Sequence, residues 1–145
     1  MKLLILNGPN LNLLGERNPD LYGAQTLDEL NRHLEEYAQT RYPDLELDFF
    51  QSNCEGALMD ALHRIRHSHD GVVFNPGAYA HYSYALRDAI EAIGLPVVEV
   101  HLSDIAVRED FRRVSVVRPV CAAHFQGEGQ GSYERAVDYL CTLQA

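Results

Sequence analysis

Tyr22 and Arg17 are the first pair of residues with the types and spacing for proton-transfer chemistry. They lie on a polar stretch between Gly15 and Gly23. A guanidinium close to a phenol favours the ionised phenol, and a tyrosinate in a dry site can act as a general base. The alternative is that Tyr22 is a partly buried aromatic that only packs. The residues alone leave both interpretations open.

Glu99 and His101 are the second pair, and their spacing on a predicted strand puts both side chains on one face. A carboxylate beside an imidazole holds its tautomer and keeps its cationic form available. The neighbouring residues Val98 and Val100 are apolar, so a carboxylate buried there needs a polar partner. The pair therefore favours an acid–base role for His101 over the alternative, a core histidine whose hydrogen bonds are merely satisfied.

The chain around these pairs alternates strand-like and helix-like patterns of apolar residues. Strand-like runs occupy residues 2–6, 45–49, 71–74 and 96–102, with β-prone pieces at 114–117 and 120–125. Helical patterns occupy segments near residues 27–38, 55–65 and 84–93, a short polar segment at 107–112, and residues 133–143. Strict alternation predicts an α/β fold, with a doubly wound, five-stranded parallel sheet in one catalytic domain spanning residues 1–145.

Two short patterns set expectations for local structure. Residues 26–29 (TLDE) and 52–55 (SNCE) both have the form of a capping box that opens a helix. Residues 15–23, which we call the lid, are polar and have a glycine at each end as a candidate hinge.

Polar residues gather where the predicted strands end. Amides follow three strands, at residues 7–10, 51–53 and 75–77, and His101 ends a fourth. The carboxyl ends of parallel strands share one edge of a sheet, where ligands bind in open α/β folds. His81 at the start of the third helix, and Arg108 and Arg112 on one helix face, are expected to join them.

Composition excludes several classes of function. The net charge of −9 argues against a nucleic-acid partner. No apolar run is long enough to span a membrane, and Asn7 and Pro9 interrupt the first one, so no signal peptide is expected. The odd set of cysteines without a CxxC spacing predicts reduced thiols in a cytoplasmic protein, at Cys54, Cys121 and Cys141.

Cofactor chemistry is also disfavoured. The chain has neither GxGxxG after its first strand nor GxxxxGK[ST] anywhere, which argues against a nucleotide- or flavin-binding protein. His81 and His101 lack carboxylates at metal-ligand spacing, so no metal site is expected. Lys2 is the sole lysine, and it lies at the start of the first strand, far from the strand ends where the site is expected. A mechanism through a lysine Schiff base is therefore disfavoured.

Three separated motifs resemble one known family. They are NGPNLNLLGxRxPxxYG at residues 7–23, NPGAYxHxSxALRDA at 75–89, and PVVEVHLS at 96–103 followed by RExFR at 108–112. In this order they resemble the type II 3-dehydroquinate dehydratases. The resemblance implies a flavodoxin-like three-layer sandwich, no cofactor, and a cytoplasmic homododecamer built from trimers. The implied reaction is an anti elimination of water from 3-dehydroquinate, through an enolate, to 3-dehydroshikimate.

The resemblance also implies roles for individual residues. Tyr22 would be the catalytic base, with Arg17 lowering its pKa, and His101 would be the general acid, supported by Glu99. Asn10 would position a water that stabilises the enolate. Arg108 would be associated with lid closure, and the substrate would be bound by Asn75, His81, Leu102, Ser103, Arg112 and, in a neighbouring subunit's site, Asp88.

The chain departs from the family pattern at a few positions. Asn18 replaces the usual glutamate and Asp104 the usual asparagine, Ala106-Val107 replaces His-Ala, and residues 121–129 are more polar than is common. None of these changes removes an implied catalytic group. The alternative from another class is a catalytically idle binding module that has kept the pocket, and retention of both acid–base pairs speaks against it.

Overall fold

The computed structural model describes residues 1–144 as a parallel sheet with helices on both faces. The strands are β1 (Lys2–Asn7), β2 (Glu46–Gln51), β3 (Gly71–Asn75), β4 (Val97–His101) and β5 (Ala123–Gln126). The helices are α1 (Pro19–Tyr22), α2 (Leu27–Arg41), α3 (Glu55–Ile65), α4 (Tyr84–Ile93) and α5 (Gln130–Leu143). The strand order β2-β1-β3-β4-β5 confirms the predicted doubly wound, flavodoxin-like sheet.

The core consists of one apolar layer on each face of the sheet. Neighbouring residues of a strand point to opposite faces. Leu3 and Ile5 therefore pack with α2 and α5, whereas Leu4 and Leu6 pack with α3 and α4. This explains why β1, β3 and β4 are almost continuous apolar runs, as expected for parallel strands covered on both sides.

The first predicted capping box is confirmed and the second is wrong in detail. The Thr26 hydroxyl accepts the N–H of Glu29 at 3.1 Å and begins α2. In the second box, Ser52 accepts the N–H of Cys54 at 3.0 Å instead. Cys54 is the N-cap of α3, and its side chain makes no capping hydrogen bond. Ser52 cannot cap the helix because its hydroxyl closes a turn that precedes the helix.

Two predictions for the segment after β4 are wrong. The polar helix predicted at residues 107–112 is a pair of separate 3₁₀ turns, Ile105–Val107 and Asp110–Arg113. Residues 114–117 are not a strand, because the Val116 N–H donates to the carbonyl of Ala80 at 2.7 Å, outside the sheet. A third 3₁₀ turn, Arg118–Val120, then carries Pro119, which has no N–H for a strand ladder.

The turns after β1 and β3 are pressed together at the sheet edge. A Cβ added to Gly8 would lie 2.7 Å from the carbonyl oxygen of Pro76, so only glycine fits there. The 3₁₀ turn Gly77–His81 follows and places His81 before α4, not at its start as predicted. Ser83 is the true N-cap of α4 and accepts the Leu86 N–H at 3.0 Å.

Candidate active site

A cleft at the carboxyl ends of β1, β3 and β4 collects most of the predicted site residues. Its walls include Arg17, Tyr22, Asn75, His81, His101, Leu102, Ser103, Arg108 and Arg112. The enclosed space is about 70 Å³, well below the roughly 300 Å³ at the small end of ligand pockets. A ligand larger than a few water molecules therefore requires the lid to move outward.

Tyr22 lies in this cleft between two arginines. Arg17 Nη2 donates to Tyr22 Oη at 2.9 Å, and its guanidinium carbon is 3.8 Å from the centre of the phenol ring. The guanidinium carbon of Arg108 lies 5.2 Å from the same ring centre. A hydrogen bond from a cation to the phenol oxygen stabilises negative charge on that oxygen. The arrangement suits a phenol that must give up its proton.

Tyr22 is carried by α1, a single turn of helix inside the lid. Asn18 is its N-cap and accepts the N–H of Asp20 at 3.0 Å, and Pro19 occupies the first helical position. Asn18 was unexplained by the sequence, and the structure gives it this local role.

The predicted pair of His101 and Glu99 is confirmed as a contact. His101 Nε2 lies 2.6 Å from Glu99 Oε2, and the two residues are 5% and 0% exposed. Ser115 and Arg118 both donate to Glu99 Oε1, at 3.0 and 3.2 Å. Burial acts to raise the pKa of Glu99, but His101 and Arg118 outweigh it and hold the pKa below its usual value. Glu99 is therefore an ionised carboxylate that accepts a hydrogen bond from the His101 ring.

His81 presents one free ring nitrogen near His101. Its Nδ1 lies 2.7 Å from the carbonyl oxygen of Val114 and must carry the hydrogen, since a carbonyl only accepts. Burial lowers the pKa of His81, so the neutral imidazole is favoured and Nε2 can accept a hydrogen bond. The His81 and His101 rings are stacked, with centres 6.3 Å apart.

Asn75 is held in place by Tyr133, a residue that the sequence did not indicate as part of the site. Its Nδ2 donates to the hydroxyl of Tyr133 at 2.9 Å, and that hydroxyl donates to Asn7 Oδ1 at 2.6 Å. Asn75 Oδ1 accepts the N–H of Gly77 at 3.1 Å. Tyr133 is fully buried, and burial raises its pKa, so it serves here as a neutral hydroxyl.

The remaining wall carries positive charge and a serine. Arg108 Nη1 donates to the Ser103 hydroxyl at 3.4 Å, and Arg112 forms an ion pair with Glu109. Together with Arg17, these arginines make the cleft locally basic on a chain whose net charge is −9. Such a site suits a small anion, because arginine binds carboxylates in a bidentate manner.

Asn10 and Asp88 do not line the cleft of their own chain. Asn10 is exposed in a left-handed conformation with φ of 69°, and its N–H donates to Asn53 Oδ1 at 2.9 Å. Asp88 lies on the exposed face of α4. Their roles stay predictions.

Arg118 was also missed, although a sequence signal for it exists. It is the one charged residue within the run 116–120 (VVRPV). Glu99 had been predicted to need a partner, and an arginine in an apolar run is a natural candidate for a buried carboxylate. The signal was too weak to choose Arg118 from the other arginines.

Other features of the described chain give no competing site. A hollow of about 470 Å³ is bordered by Met1, Tyr42, Leu45 and Cys141, but it is mostly apolar and lies away from the acid–base residues. Residues 1–144 contain no group of three or more histidine, cysteine or acidic side chains that could hold a metal ion. No helix in that range is long and apolar enough to cross a membrane.

Comparison with known proteins places the chain among the dehydroquinases. The sequence profile of the family described as "Dehydroquinase class II" matches residues 1–141. The 3-dehydroquinate dehydratase of Bacillus pumilus is 54% identical over 137 residues, which cover 94% of this chain and 92% of that protein. The 3-dehydroquinate dehydratase of Pelotomaculum thermopropionicum is 55% identical over 143 residues, covering 99% and 98% of the two chains.

Solved structures agree with the sequence comparison. The type II dehydroquinase from Butyrivibrio crossotus superposes with a TM-score of 0.94 at 42% identity, covering 97% of each chain. The type II dehydroquinase from Propionibacterium acnes gives a TM-score of 0.92 at 39% identity, covering 97% of this chain and 96% of that one. With its predicted motifs, its sheet order and its acid–base residues in one cleft, the chain belongs to the class II dehydroquinase family.

Proposed function

We propose that this chain is a hydro-lyase that converts 3-dehydroquinate to 3-dehydroshikimate by an anti elimination of water through an enolate. The observation that carries the proposal is that Tyr22 and His101 line one small cleft, each with its own charged partner. A proton beside a ketone requires a base, and a leaving hydroxide requires an acid. The cleft supplies one candidate for each.

Tyr22, as the phenolate, removes the C2 proton beside the C3 ketone of the substrate. Arg17 supports this step because its hydrogen bond to Tyr22 Oη, 2.9 Å long, stabilises the ionised phenol. Asn10 holds a water against the enolate oxygen, which requires its side chain to turn inward when substrate binds. His101 then protonates the departing C1 hydroxyl, using the proton that ionised Glu99 helps it retain.

The other wall residues bind the substrate. The backbone N–H groups of Leu102 and Ser103, with Arg112, suit its carboxylate. His81 and Asn75 suit its hydroxyl groups, since His81 Nε2 is free to accept and Asn75 is held rigidly by Tyr133. Arg108 lies over Tyr22 and couples lid closure to the catalytic base.

The first test is turnover of 3-dehydroquinate, followed by the ultraviolet absorbance of the conjugated enone in the product. We expect turnover by the purified chain without added metal or cofactor. Folded protein that forms no product would contradict the proposed activity and would favour a catalytically idle binding module.

The second test replaces Tyr22 by phenylalanine. We expect kcat to fall by at least about 10²-fold, the lower end of what general base catalysis contributes, while calorimetry still detects substrate binding. Tyr139→Phe is the matched control, because it removes a phenol hydroxyl that bonds only to the Ala122 carbonyl. Near-normal turnover by Tyr22→Phe would rule out the tyrosinate base.

Three finer properties belong to the same proposal. Residues 1–145 act as one catalytic domain, the protein is cytoplasmic, and it forms a homododecamer of trimers. Free thiols at Cys54, Cys121 and Cys141 are compatible with a reducing compartment. Light scattering coupled to gel filtration tests the assembly, and a mass other than twelve times the 16.4 kDa chain contradicts it.

A further inference from the structure

Arg118 contacts the buried carboxylate that supports the proposed general acid. Its Nε donates to Glu99 Oε1 at 3.2 Å and its Nη2 to Glu99 Oε2 at 3.4 Å. Glu99 Oε2 is also the oxygen bound by His101 Nε2. One carboxylate thus joins a guanidinium to the imidazole, and Arg118 does not itself line the cleft.

Arg118 is held in turn by residues of the neighbouring strand and loop. Its Nη2 donates to Gln126 Oε1 at 2.9 Å, and Gln126 Nε2 donates to Asp104 Oδ1 at 2.9 Å. Asp104 Oδ1 also accepts the N–H of Ala106 at 3.0 Å, which fixes its side chain at the start of a 3₁₀ turn. A continuous series of hydrogen bonds therefore leads from this turn to Glu99.

Two residues of this series lie next to the strand that carries the acid. Asp104 follows β4 at the start of a 3₁₀ turn, and Gln126 ends β5. Gln126 pairs with His101 in the parallel register of β4 and β5, so it lies directly beside the strand that carries the acid. Together, Gln126 and Asp104 hold the Arg118 guanidinium against Glu99.

We propose that Arg118 is a positioning residue for the general acid, and that Gln126 and Asp104 orient it. A planar guanidinium that binds both carboxylate oxygens fixes the rotation of that carboxylate, which a single contact would not. The fixed carboxylate then fixes the ring of His101 in the cleft. The inference rests on the proposed function, because it assigns Arg118 a role in the step that His101 performs.

The role differs from mere neutralisation of the charge on Glu99. Ser115 also donates to Glu99, at 3.0 Å, so the carboxylate keeps a hydrogen bond if Arg118 is lost. What is lost is the one planar group that contacts both carboxylate oxygens at once, at 3.2 and 3.4 Å. Small displacements of a catalytic group lower the rate strongly, since an error of about 1 Å can cost about 10²-fold.

The test measures kcat and KM of Arg118→Gln and Arg118→Lys beside the wild type. We expect kcat of Arg118→Gln to fall roughly 10- to 100-fold, less than the loss of the acid itself, with KM changed by less than about twofold. Lysine keeps the charge but not the planar fork, so Arg118→Lys should recover only part of the loss. Unchanged kcat in folded Arg118→Gln overturns the inference.

Arg135→Gln is the matched control for this experiment. Arg135 also pairs with a carboxylate, that of Glu128, but both side chains are about half exposed, at 55% and 47%, on the α5 side of the molecule. We expect its kcat and KM to equal those of the wild type. A loss in Arg135→Gln as large as that in Arg118→Gln would overturn the specific role of Arg118.

Gln126→Leu keeps the inference testable if Arg118→Gln fails to fold. It removes the 2.9 Å hydrogen bond to Arg118 and leaves the guanidinium in place. We expect a fall in kcat of about 3-fold to 10-fold with little change in KM, and no further loss when it is combined with Arg118→Lys. Wild-type kcat in Gln126→Leu, or additive losses, would overturn the inference.

The wild-type assay separates the two claims. If the wild type forms no enone, the proposed function fails and the role of Arg118 falls with it. If the wild type turns over and folded Arg118→Gln matches it, only the inference about Arg118 fails.

Discussion

At the scale of single residues, the chemistry depends on how a buried charge is balanced. Glu99 is fully buried, which by itself would oppose its ionisation. His101, Ser115 and Arg118 all donate hydrogen bonds to it, and together they hold it ionised. Its carboxylate can therefore support a cationic imidazole inside an apolar sheet.

The same balance predicts a pH-dependent contribution to stability. Because the pKa of Glu99 is lowered on folding, its stabilising effect is present above the unfolded pKa, about 4.3, and is lost as pH falls through the folded value. We expect Glu99→Gln to lower the free energy of unfolding by about 3 kcal/mol at pH 7, the lower end of the cost of removing one partner from a buried ion pair.

Urea unfolding at fixed protein concentration, repeated between pH 7 and pH 3, measures this difference. The gap between the wild type and Glu99→Gln should begin to narrow below about pH 4.3, and it should close only as the pH falls through the lower folded pKa of Glu99. Glu128→Gln is the control, because Glu128 is half exposed and its ion pair should contribute little. A gap between wild type and Glu99→Gln that is as wide at pH 3 as at pH 7 would show that the charge of Glu99 is not its source.

At the scale of elements, the site is divided between a rigid edge and a small movable part. The strand ends of β3 and β4 are buried and present Asn75 and His101. Tyr22 instead belongs to α1, one helical turn between Gly15 and Gly23, both of which have positive φ. A helix this short has no stability of its own. Its N-cap and its contacts across the cleft therefore govern how often the base is in place.

The cap of α1 gives a prediction at this scale. Asn18→Ala removes the acceptor of the Asp20 N–H, and loss of such a cap costs about 1 kcal/mol. We expect a fall of about 5-fold in kcat/KM, the factor that corresponds to this energy. Limited proteolysis should also cut the lid faster than in the wild type.

Asn18→Asp is the control for the cap, because aspartate accepts the same hydrogen bond as well as asparagine does. It should keep kcat/KM close to the wild-type value. If Asn18→Ala matched the wild type in both turnover and proteolysis, the capping hydrogen bond would have no part in presenting Tyr22.

At the scale of the whole molecule, Asp88 is separated from the cleft of its own chain. Asp88 is exposed on α4, and the cleft is lined without it. Its predicted contact with substrate therefore requires a neighbouring subunit. Exposed aromatic side chains lie on the same region of the chain, at Tyr82 and Tyr84, and would be available to an interface.

Complementation between inactive variants tests this arrangement. Tyr22→Phe lacks the base, and Asp88→Ala lacks the residue that we expect to reach the next subunit. Mixed oligomers obtained by co-expression should contain some sites with both groups intact, so activity should exceed that of either variant alone. Activity in mixed oligomers no greater than the average of the two would show that Asp88 acts within its own chain, or not at all.

Local sequence pattern predicted much of the secondary structure of this molecule, because helices and strands depend largely on neighbouring residues. Apolar periodicity located all the strands of the sheet, and the Thr26 cap located the start of α2. The spacing of Glu99 and His101 predicted their contact, since the geometry of a strand alone puts both on one face. Predictions failed between β4 and β5, where short turns are set by contacts such as that of Val116 with Ala80.

The amino-acid sequence by itself determined the fold class, the sheet edge that holds the cleft, and the two candidate acid–base pairs, because helix and strand periodicity, residue spacing and strand-end position are local properties. Only the tertiary structure decided what orients the residues of the cleft. Tyr133 reaches Asn7 across 126 positions and Arg118 reaches Glu99 across 19. Such contacts form only when the sheet brings distant segments together, so no spacing along the chain indicates them.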